Sequence, residues 1–155
     1  MGLAAADCPV TVIDCAAFSQ ADLQPLSQLF QNESEKVFQN ASFDLQMLQA
    51  SGLAVKGKIF DTMIASQLID AGLNKSHKLE VIAHRYLGIE LDKSEQKSNW
   101  KGGLTRSQID CAARDTAVLL PLRESLTAKL EEKGLTDTAS LEFRTSPAVA
   151  EMEWN

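Results

Sequence analysis

The chain has 155 residues, 45% of them hydrophobic, and a formal net charge of −6. This length predicts one globular domain over residues 1–155 and leaves no room for a second one. Three cysteines without disulfide or metal spacing, no basic leader and no apolar run of membrane-spanning length together predict a cytoplasmic protein with no membrane partner.

Strands and helices are predicted to alternate in the first half of the chain. Short runs rich in apolar or β-branched residues predict strands at 9–14, 36–39 and 55–60, the last of them weakened by Gly57. Apolar residues at helical spacing predict helices at 22–30 and 42–49.

The second half of the chain is predicted to be helical. Helices are expected at 62–70, 79–87, 106–133 and 138–152, with one long polar loop at 92–103. Pro121 should kink or divide the longest helix. Strands alternating with helices, followed by helices alone, predict an α/β sheet with a helical cap.

Two aspartates lie on otherwise apolar predicted helices. A carboxylate is costly to bury unless a cation sits opposite it, so Asp44 and Asp115 together suggest half of a metal site. There are simpler alternatives for both. Asp44 could be a first-turn acid stabilised by the helix dipole, and Asp115 could form a structural salt bridge with Arg114 or Arg123.

Four other side chains invite a functional interpretation beside a structural one. Asn40 should cap the helix of Asp44, with contact to nucleic acid as the alternative. Asp61 is expected to cap the helix that follows it. Trp100 could stack on a base or anchor the long loop onto the core, and Cys111 should be a small, buried, inert thiol.

Charge is unevenly distributed along the chain. Between Lys75 and Arg106 there are seven bases and four acids, whereas the rest has eight bases and seventeen acids. A basic segment facing an acidic pocket is typical of a metal-dependent nuclease, although a solvated face is the alternative. His77 and His84 fit no metal or general-base pattern, and we expect them at the surface or in the core.

Five motifs occur in an order and spacing that resemble a known family. They are Asn40-x-x-x-Asp44, Phe60-Asp-Thr-Met63, His77-x-Leu-x-x-Ile-Ala-x-x-Tyr-Leu-Gly88, Lys93-Ser-x-Gln-x-Ser-Asn-Trp100 and Ala112-Ala-Arg-Asp115. Together they resemble the DEDD-type 3′-5′ exonuclease domain shared by ribonuclease D and family A DNA polymerases. The resemblance implies a ribonuclease H-like sheet, truncated at its amino-terminal strands, with a helical C-terminal half.

The resemblance also implies a reaction and a site. The family trims single-stranded nucleic acid 3′ ends by two-metal hydrolysis with Mg²⁺ or Mn²⁺. By resemblance Asp44 and Asp115 would be metal ligands and catalytic residues, and Cys111 stands where the family has a catalytic tyrosine. Asn40 and Trp100 would contact the substrate.

Two departures from the family pattern predict an impaired site. No Asp-x-Glu occurs upstream of Asn40, so two of the family's four carboxylates are missing, and a thiol cannot copy the tyrosine hydroxyl. We therefore expect weak, single metal occupancy and no appreciable exonuclease activity. The alternative function is a non-catalytic ribonuclease H-like scaffold or single-strand-binding module.

Both ends of the chain carry further expectations. Residues 141–153 resemble the helix that leads into a polymerase domain, so 138–155 should begin such a linker in a DNA polymerase I-type parent. If the first two family strands are absent, the strand at 10–14 lacks its neighbours. It should then pair with the central strand or drive self-association.

Overall fold

The strands form two small sheets where the sequence predicts one. In the computed structural model, which describes residues 1–92, 94, 95, 98–100 and 102–154, β1 (Gly2–Leu3) pairs antiparallel with β2 (Thr11–Val12). β3 (Lys36–Phe38) pairs in parallel with β4 (Ile59–Asp61), with Val37 opposite Phe60. The parallel pair needs a long crossover, which contains the helix that carries Asp44.

The amino-terminal hairpin corrects the prediction that residues 10–14 lack a partner strand. The chain turns at residues 5–8 and runs back, so that the Met1 amino group and the Ile13 amide each donate a 2.7 Å hydrogen bond to the other residue's carbonyl. β2 pairs with β1 and not with β3, so direct pairing with the central strand is not found in the described residues. Because β1 and β2 form a sheet of only two strands, β2 keeps one unpaired edge, and self-association stays a prediction.

Eight α-helices are present in the described part of the chain. They are α1 (Gln20–Leu23), α2 (Ser27–Gln31), α3 (Ala41–Ala50), α4 (Thr62–Ile69), α5 (Leu79–Leu87), α6 (Arg106–Ala117), α7 (Leu119–Glu132) and α8 (Thr136–Trp154). None of those helices is long and apolar enough to cross a membrane.

Proline or glycine explains how three predicted elements appear in the structure: one helix is broken, one strand is shortened, and the longest helix is divided as expected. The predicted helix at 22–30 is broken by a 3₁₀ turn, Gln24–Leu26, that contains Pro25. The predicted strand at 55–60 starts only at Ile59, because Gly57 takes a left-handed φ of 83°. The long helix divides at Val118; Pro121 lies in the first turn of α7, where a missing N–H costs little.

One main hydrophobic cluster lies among β4, α4, α5, α7 and α8. Phe60 contributes to it from β4, Ile82 from α5 and Leu122 and Leu126 from α7, and all four are at most 5% exposed. A second cluster forms around Leu23, Phe30, Leu48 and Leu53, and side chains of both β1 and β3 pack against it. The two sheets are therefore held by shared core contacts.

The carboxyl-terminal helix fixes the position of α3. Ala150 of α8 packs against Ala41 and Leu45 of α3. Glu153 of α8 accepts hydrogen bonds from the Ser42 hydroxyl and from the Gln46 amide, the latter at 3.0 Å. α3 is thus fixed in place by its contacts with α8.

Candidate functional site

The buried carboxylate of Asp61 caps the amino-terminal ends of two helices, α3 and α4. Asp61 is 1% exposed at the end of β4. It accepts hydrogen bonds from the backbone amides of Asn40 at 3.1 Å and Ala41 at 2.7 Å, and also from Met63 at 2.8 Å and Ile64 at 3.4 Å. The expected cap of α4 is confirmed. The additional cap of α3 was not predicted, since it joins residues twenty positions apart in the chain.

Asn40 occupies the N-cap position of α3 without capping it. Its backbone is left-handed, with φ 64° and ψ 63°, and its side chain makes no capping hydrogen bond. N-cap residues that bond through their side chain usually have extended backbone, whereas asparagine is one of the few residues that tolerate the left-handed region. The predicted side-chain cap is wrong, and the Asn40 side chain stays exposed beside the helix start.

Asp44 lies in the first turn of α3 and is half-buried. It makes no hydrogen bond or salt bridge with any residue that the structure describes. Burial raises the pKa of its carboxyl group to about 6, and the nearby carboxylate of Asp61 adds to the increase, against an opposing effect of the Met1 amino group. A helix dipole would lower this pKa, so the macrodipole interpretation does not account for Asp44.

Asp115 lies on α6, is half-buried, and likewise has no hydrogen bond or salt bridge within the described ranges. Burial raises the pKa of its carboxyl group, and the charge of Glu80 adds to the increase. The predicted salt bridge is wrong. Arg123 pairs instead with Glu35 at 2.8 Å, and Arg114 pairs with no residue in this part of the structure.

Asp44 and Asp115 lie on different helices and have different charged neighbours in the described part of the chain. Asp44 is influenced by Asp61, whereas Asp115 is influenced by Glu80, and neither of the pair shifts the pKa of the other. No group of three or more histidine, cysteine, aspartate or glutamate residues there could hold a metal ion. Because a hard cation is held by several oxygen ligands, these residues alone do not fit a two-metal centre.

Cys111 lies one helical turn before Asp115 on α6. Its thiol is half-buried, with Sγ 3.7 Å from the carbonyl oxygen of Asp92. Burial raises the pKa of the thiol, and the charges of Asp115, Asp92 and Glu95 raise it further. The thiol is therefore protonated at neutral pH, as expected for an inert cysteine.

The loop before α6 is anchored by a residue that was not predicted. Trp100 is 43% exposed, and its indole donates to the Glu95 carbonyl within the same loop at 3.0 Å, so it does not anchor the loop onto the core. Gln108, 3% exposed, donates to the Ser98 hydroxyl and to the Asn99 carbonyl, both at 3.0 Å. The capping-box pattern Thr105-x-x-Gln108 was the available sequence signal.

Part of the basic segment is neutralised locally. Lys75 and Arg85 both pair with the buried Asp70, at 2.9 Å and 2.6 Å. Lys93, Lys97 and Lys101 lie outside the described residues, as does Gln96 of the Lys93–Trp100 motif.

The surroundings of the two histidines indicate structural roles. The Nδ1 atom of the His77 ring is 2.8 Å from the Ser66 hydroxyl oxygen. The backbone carbonyl of His77 accepts a hydrogen bond from the side-chain amide of Gln39. His84 is exposed on α5.

Comparison with known proteins gives the same family for most of the chain. A family model described as 3′-5′ exonuclease matches residues 5–131. Ribonuclease D of Acidiphilium cryptum is 33% identical over 149 residues, which cover 89% of this chain and 37% of that protein. DNA polymerase I of Aquifex aeolicus is 38% identical over 112 residues, which cover 72% of this chain and 19% of that protein.

A solved structure confirms the α/β nuclease fold. NrnC of Brucella melitensis superposes with a TM-score of 0.76 and 30% sequence identity, over 83% of this chain and 63% of that one. Further structures of NrnC contain bound Mg²⁺ or pGG. The chain spans less than two fifths of the length of either curated relative above.

Proposed function

Because the chain belongs to the 3′-5′ exonuclease family, we propose that it engages the 3′ ends of nucleic acid strands through Asp44 on α3 and Asp115 on α6. The observation that carries this proposal is that both carboxyl groups are half-buried and have raised pKa values without a compensating partner. Unpaired carboxylates reduce the stability of a fold, and such groups are concentrated at functional sites.

We further propose that the chain hydrolyses strand ends poorly on its own. It offers two candidate carboxylate ligands, and no group of three or more histidine, cysteine, aspartate or glutamate side chains that could hold a metal ion occurs in the part of the chain that the structure describes. A divalent ion would supply charge stabilisation at the scissile phosphate, and Asp44 and Asp115 are its candidate ligands. The Mg²⁺-bound relative supports testing a divalent ion together with the strand.

The relatives indicate which strand to test first. One relative is named ribonuclease D, and another, NrnC, has a structure with bound pGG. A short RNA strand is therefore the first substrate to test and a DNA strand the second. The ribonuclease D relative matches a larger share of this chain than the polymerase does. The polymerase relative is consistent with a relation to DNA polymerase I, whereas the expectation that this chain is a fragment of such a polymerase stays a prediction.

Binding of a labelled strand in the presence and absence of metal tests the proposal. A 5′-fluorescein RNA strand should bind more tightly in Mn²⁺ than in EDTA, and Asp44→Asn with Asp115→Asn should remove that difference. Asp110→Asn is the matched control, because Asp110 lies on α6 and already pairs with Arg106. Equal anisotropy in Mn²⁺ and EDTA for the parent protein would contradict strand-end binding through these aspartates.

Cleavage is read from the same samples on a denaturing gel. We expect no appreciable shortening of the strand over the binding experiment. The opposite outcome is metal-dependent shortening from the 3′ end that Asp115→Asn abolishes. This result would show that the chain is a competent exonuclease and would contradict the proposal that it hydrolyses strand ends poorly.

A non-catalytic scaffold is the second candidate function. It is favoured by the separate surroundings of Asp44 and Asp115, which are influenced by different neighbours. In that case neither the RNA nor the DNA strand should bind in a metal-dependent way.

A further inference from the structure

The arginines of this chain differ in whether they have a charge partner. Three of them form salt bridges with N to O distances of 2.6 to 3.1 Å, Arg85 with Asp70, Arg106 with Asp110 and Arg123 with Glu35. Arg114 and Arg144 are exposed and pair with no residue that the structure describes. Arg114 is the unpaired arginine that directly precedes Asp115 on α6.

The guanidinium group of Arg114 lies near the start of the loop at residues 92–103. Hydrogen bonds from Ser94 lower the pKa of the Asp92 carboxyl group most, and the charge of Arg114 lowers it further. Burial raises the pKa of the Cys111 thiol most, and the charge of Arg114 opposes that increase. No hydrogen bond or salt bridge joins the Arg114 side chain to a described residue, so these residues fill none of its five N–H donors.

Arg114 and Asp115 do not neutralise each other. They are consecutive residues of α6, so their side chains leave the helix about 100° apart. Burial and the charge of Glu80 raise the pKa of the Asp115 carboxyl group, and Arg114 does not oppose them. A guanidinium group binds phosphate oxygens through two parallel hydrogen bonds, whereas a carboxylate binds a divalent ion. Side by side, the two groups suit a strand phosphate with an ion next to it.

Two kinds of anionic partner fit an unpaired arginine at this place. One is a phosphate of a nucleic acid strand. The other is a carboxylate from the rest of a longer parent chain, since this chain spans less than two fifths of either curated relative. Asp92, Glu95 and Asp115 all act on the Cys111 thiol, and their negative charges repel either partner. A divalent ion bound at Asp115 offsets that repulsion and attracts phosphate oxygens, which favours the strand.

We propose that Arg114 binds a backbone phosphate of the strand whose 3′ end Asp44 and Asp115 engage. The inference rests on the proposed function and adds to it a cationic contact on the strand. Contacts to phosphates position a strand and do not read its bases. Arg114 should therefore strengthen the binding of strands of any sequence.

The salt dependence of strand binding detects this contact. In Mn²⁺, at increasing KCl concentration, anisotropy of a 5′-fluorescein RNA strand should show that Arg114→Gln binds about three- to tenfold more weakly than the parent at low salt. The slope of log K against log salt should become shallower by about 0.7, the value for one phosphate contact on a single strand. Arg114→Lys keeps the charge and should keep the slope. Arg144→Gln, which removes the other unpaired arginine on α8, is the matched control and should change neither quantity.

Neutral linkages locate the phosphate that Arg114 binds. One RNA strand carries 2′-O-methyl methylphosphonates at the two linkages nearest its 3′ end, and its control carries them at the two linkages nearest its 5′ end. The parent should bind the 3′-modified strand more weakly than the control strand. This loss should be about three- to tenfold smaller for Arg114→Gln, because the variant has no guanidinium group to lose its partner.

The outcomes separate this inference from the proposed function. A parent that binds strands only in Mn²⁺, with Arg114→Gln showing the same affinity and the same salt slope, would overturn the role of Arg114 and leave the proposed function standing. That result is expected if a carboxylate of a longer chain is the partner of Arg114. Equal losses on the 3′-modified strand for the parent and Arg114→Gln would also overturn the inference. A parent that binds no strand would overturn both proposals.

Discussion

Asp61 and Asp44 lie at the start of the same helix and have opposite surroundings. The Asp61 carboxylate is buried and accepts hydrogen bonds from four backbone amides, so its cost of burial is offset. The Asp44 carboxyl group is half-buried, accepts none from the described residues, and has a pKa of about 6. The carboxylate of Asp61 caps two helices, whereas the carboxyl group of Asp44 is expected to reduce stability when ionised and is the one that we propose for strand binding.

Removing the satisfied carboxylate should have the largest effect on stability. Asp61→Ala leaves four backbone amides of α3 and α4 without their acceptor, and we expect a loss of about 3 kcal/mol or more in the free energy of unfolding. Urea denaturation followed by circular dichroism measures this. Asp22→Ala, which removes an exposed capping box on α1, should cost much less. Equal losses for the two variants would contradict the role given to Asp61.

Removing the carboxylate of Asp44 should increase the free energy of unfolding, whereas removing that of Asp61 decreases it. The pKa of Asp44 is raised in the folded state, so its protonated form adds stability at low pH, and this stability is lost as pH rises from about 4 to about 6. The asparagine of Asp44→Asn cannot ionise. The free energy of unfolding of this variant should therefore be about 1 to 2 kcal/mol higher than that of the parent at pH 7.5, after allowance for solvent screening.

The pH dependence is the control for that expectation. At pH 4 Asp44 is largely protonated, so the parent and Asp44→Asn should have nearly equal midpoints in urea. A variant that is less stable than the parent at both pH values would show that Asp44 contributes to the fold.

Gln108 and Tyr86 extend the comparison to uncharged groups. The Gln108 amide is buried and donates to the loop at residues 98–99, so Gln108→Ala should cost about 1 to 2 kcal/mol. The Tyr86 hydroxyl is buried without a hydrogen-bond partner among the described residues, so Tyr86→Phe should change stability by about 0.5 kcal/mol or less, if anything upward. Thermal melts of both variants, compared with the parent, measure the difference, and a larger loss for Tyr86→Phe would contradict it.

Local patterns in the sequence predicted the elements near the site, while contacts between distant residues were not predictable. The strand at 36–38 and the helices of Asp44 and Asp115 follow from apolar spacing and lie where expected. The α3 cap by Asp61 and the pairing of Arg123 with Glu35 join residues 20 and 88 positions apart, which no local signal encodes.

Short segments account for the errors in the strands. β1 and β2 have two residues each, too few for alternation of apolar and polar side chains to be visible. The Asn40 side chain was assigned a cap because asparagine favours that position, but Asp61 already satisfies the amides there.

Carbon-13 NMR of the Asp44 side-chain carboxyl group tests the central claim most directly. We predict that this group titrates with a pKa of about 6 in the free protein, and that adding Mg²⁺ with a short RNA strand shifts its signal. The Asp61 signal, buried among its four donors, should not respond to the addition. An Asp44 carboxyl group that titrates near the ordinary value of 3.8 and ignores Mg²⁺ and strand together would contradict the account.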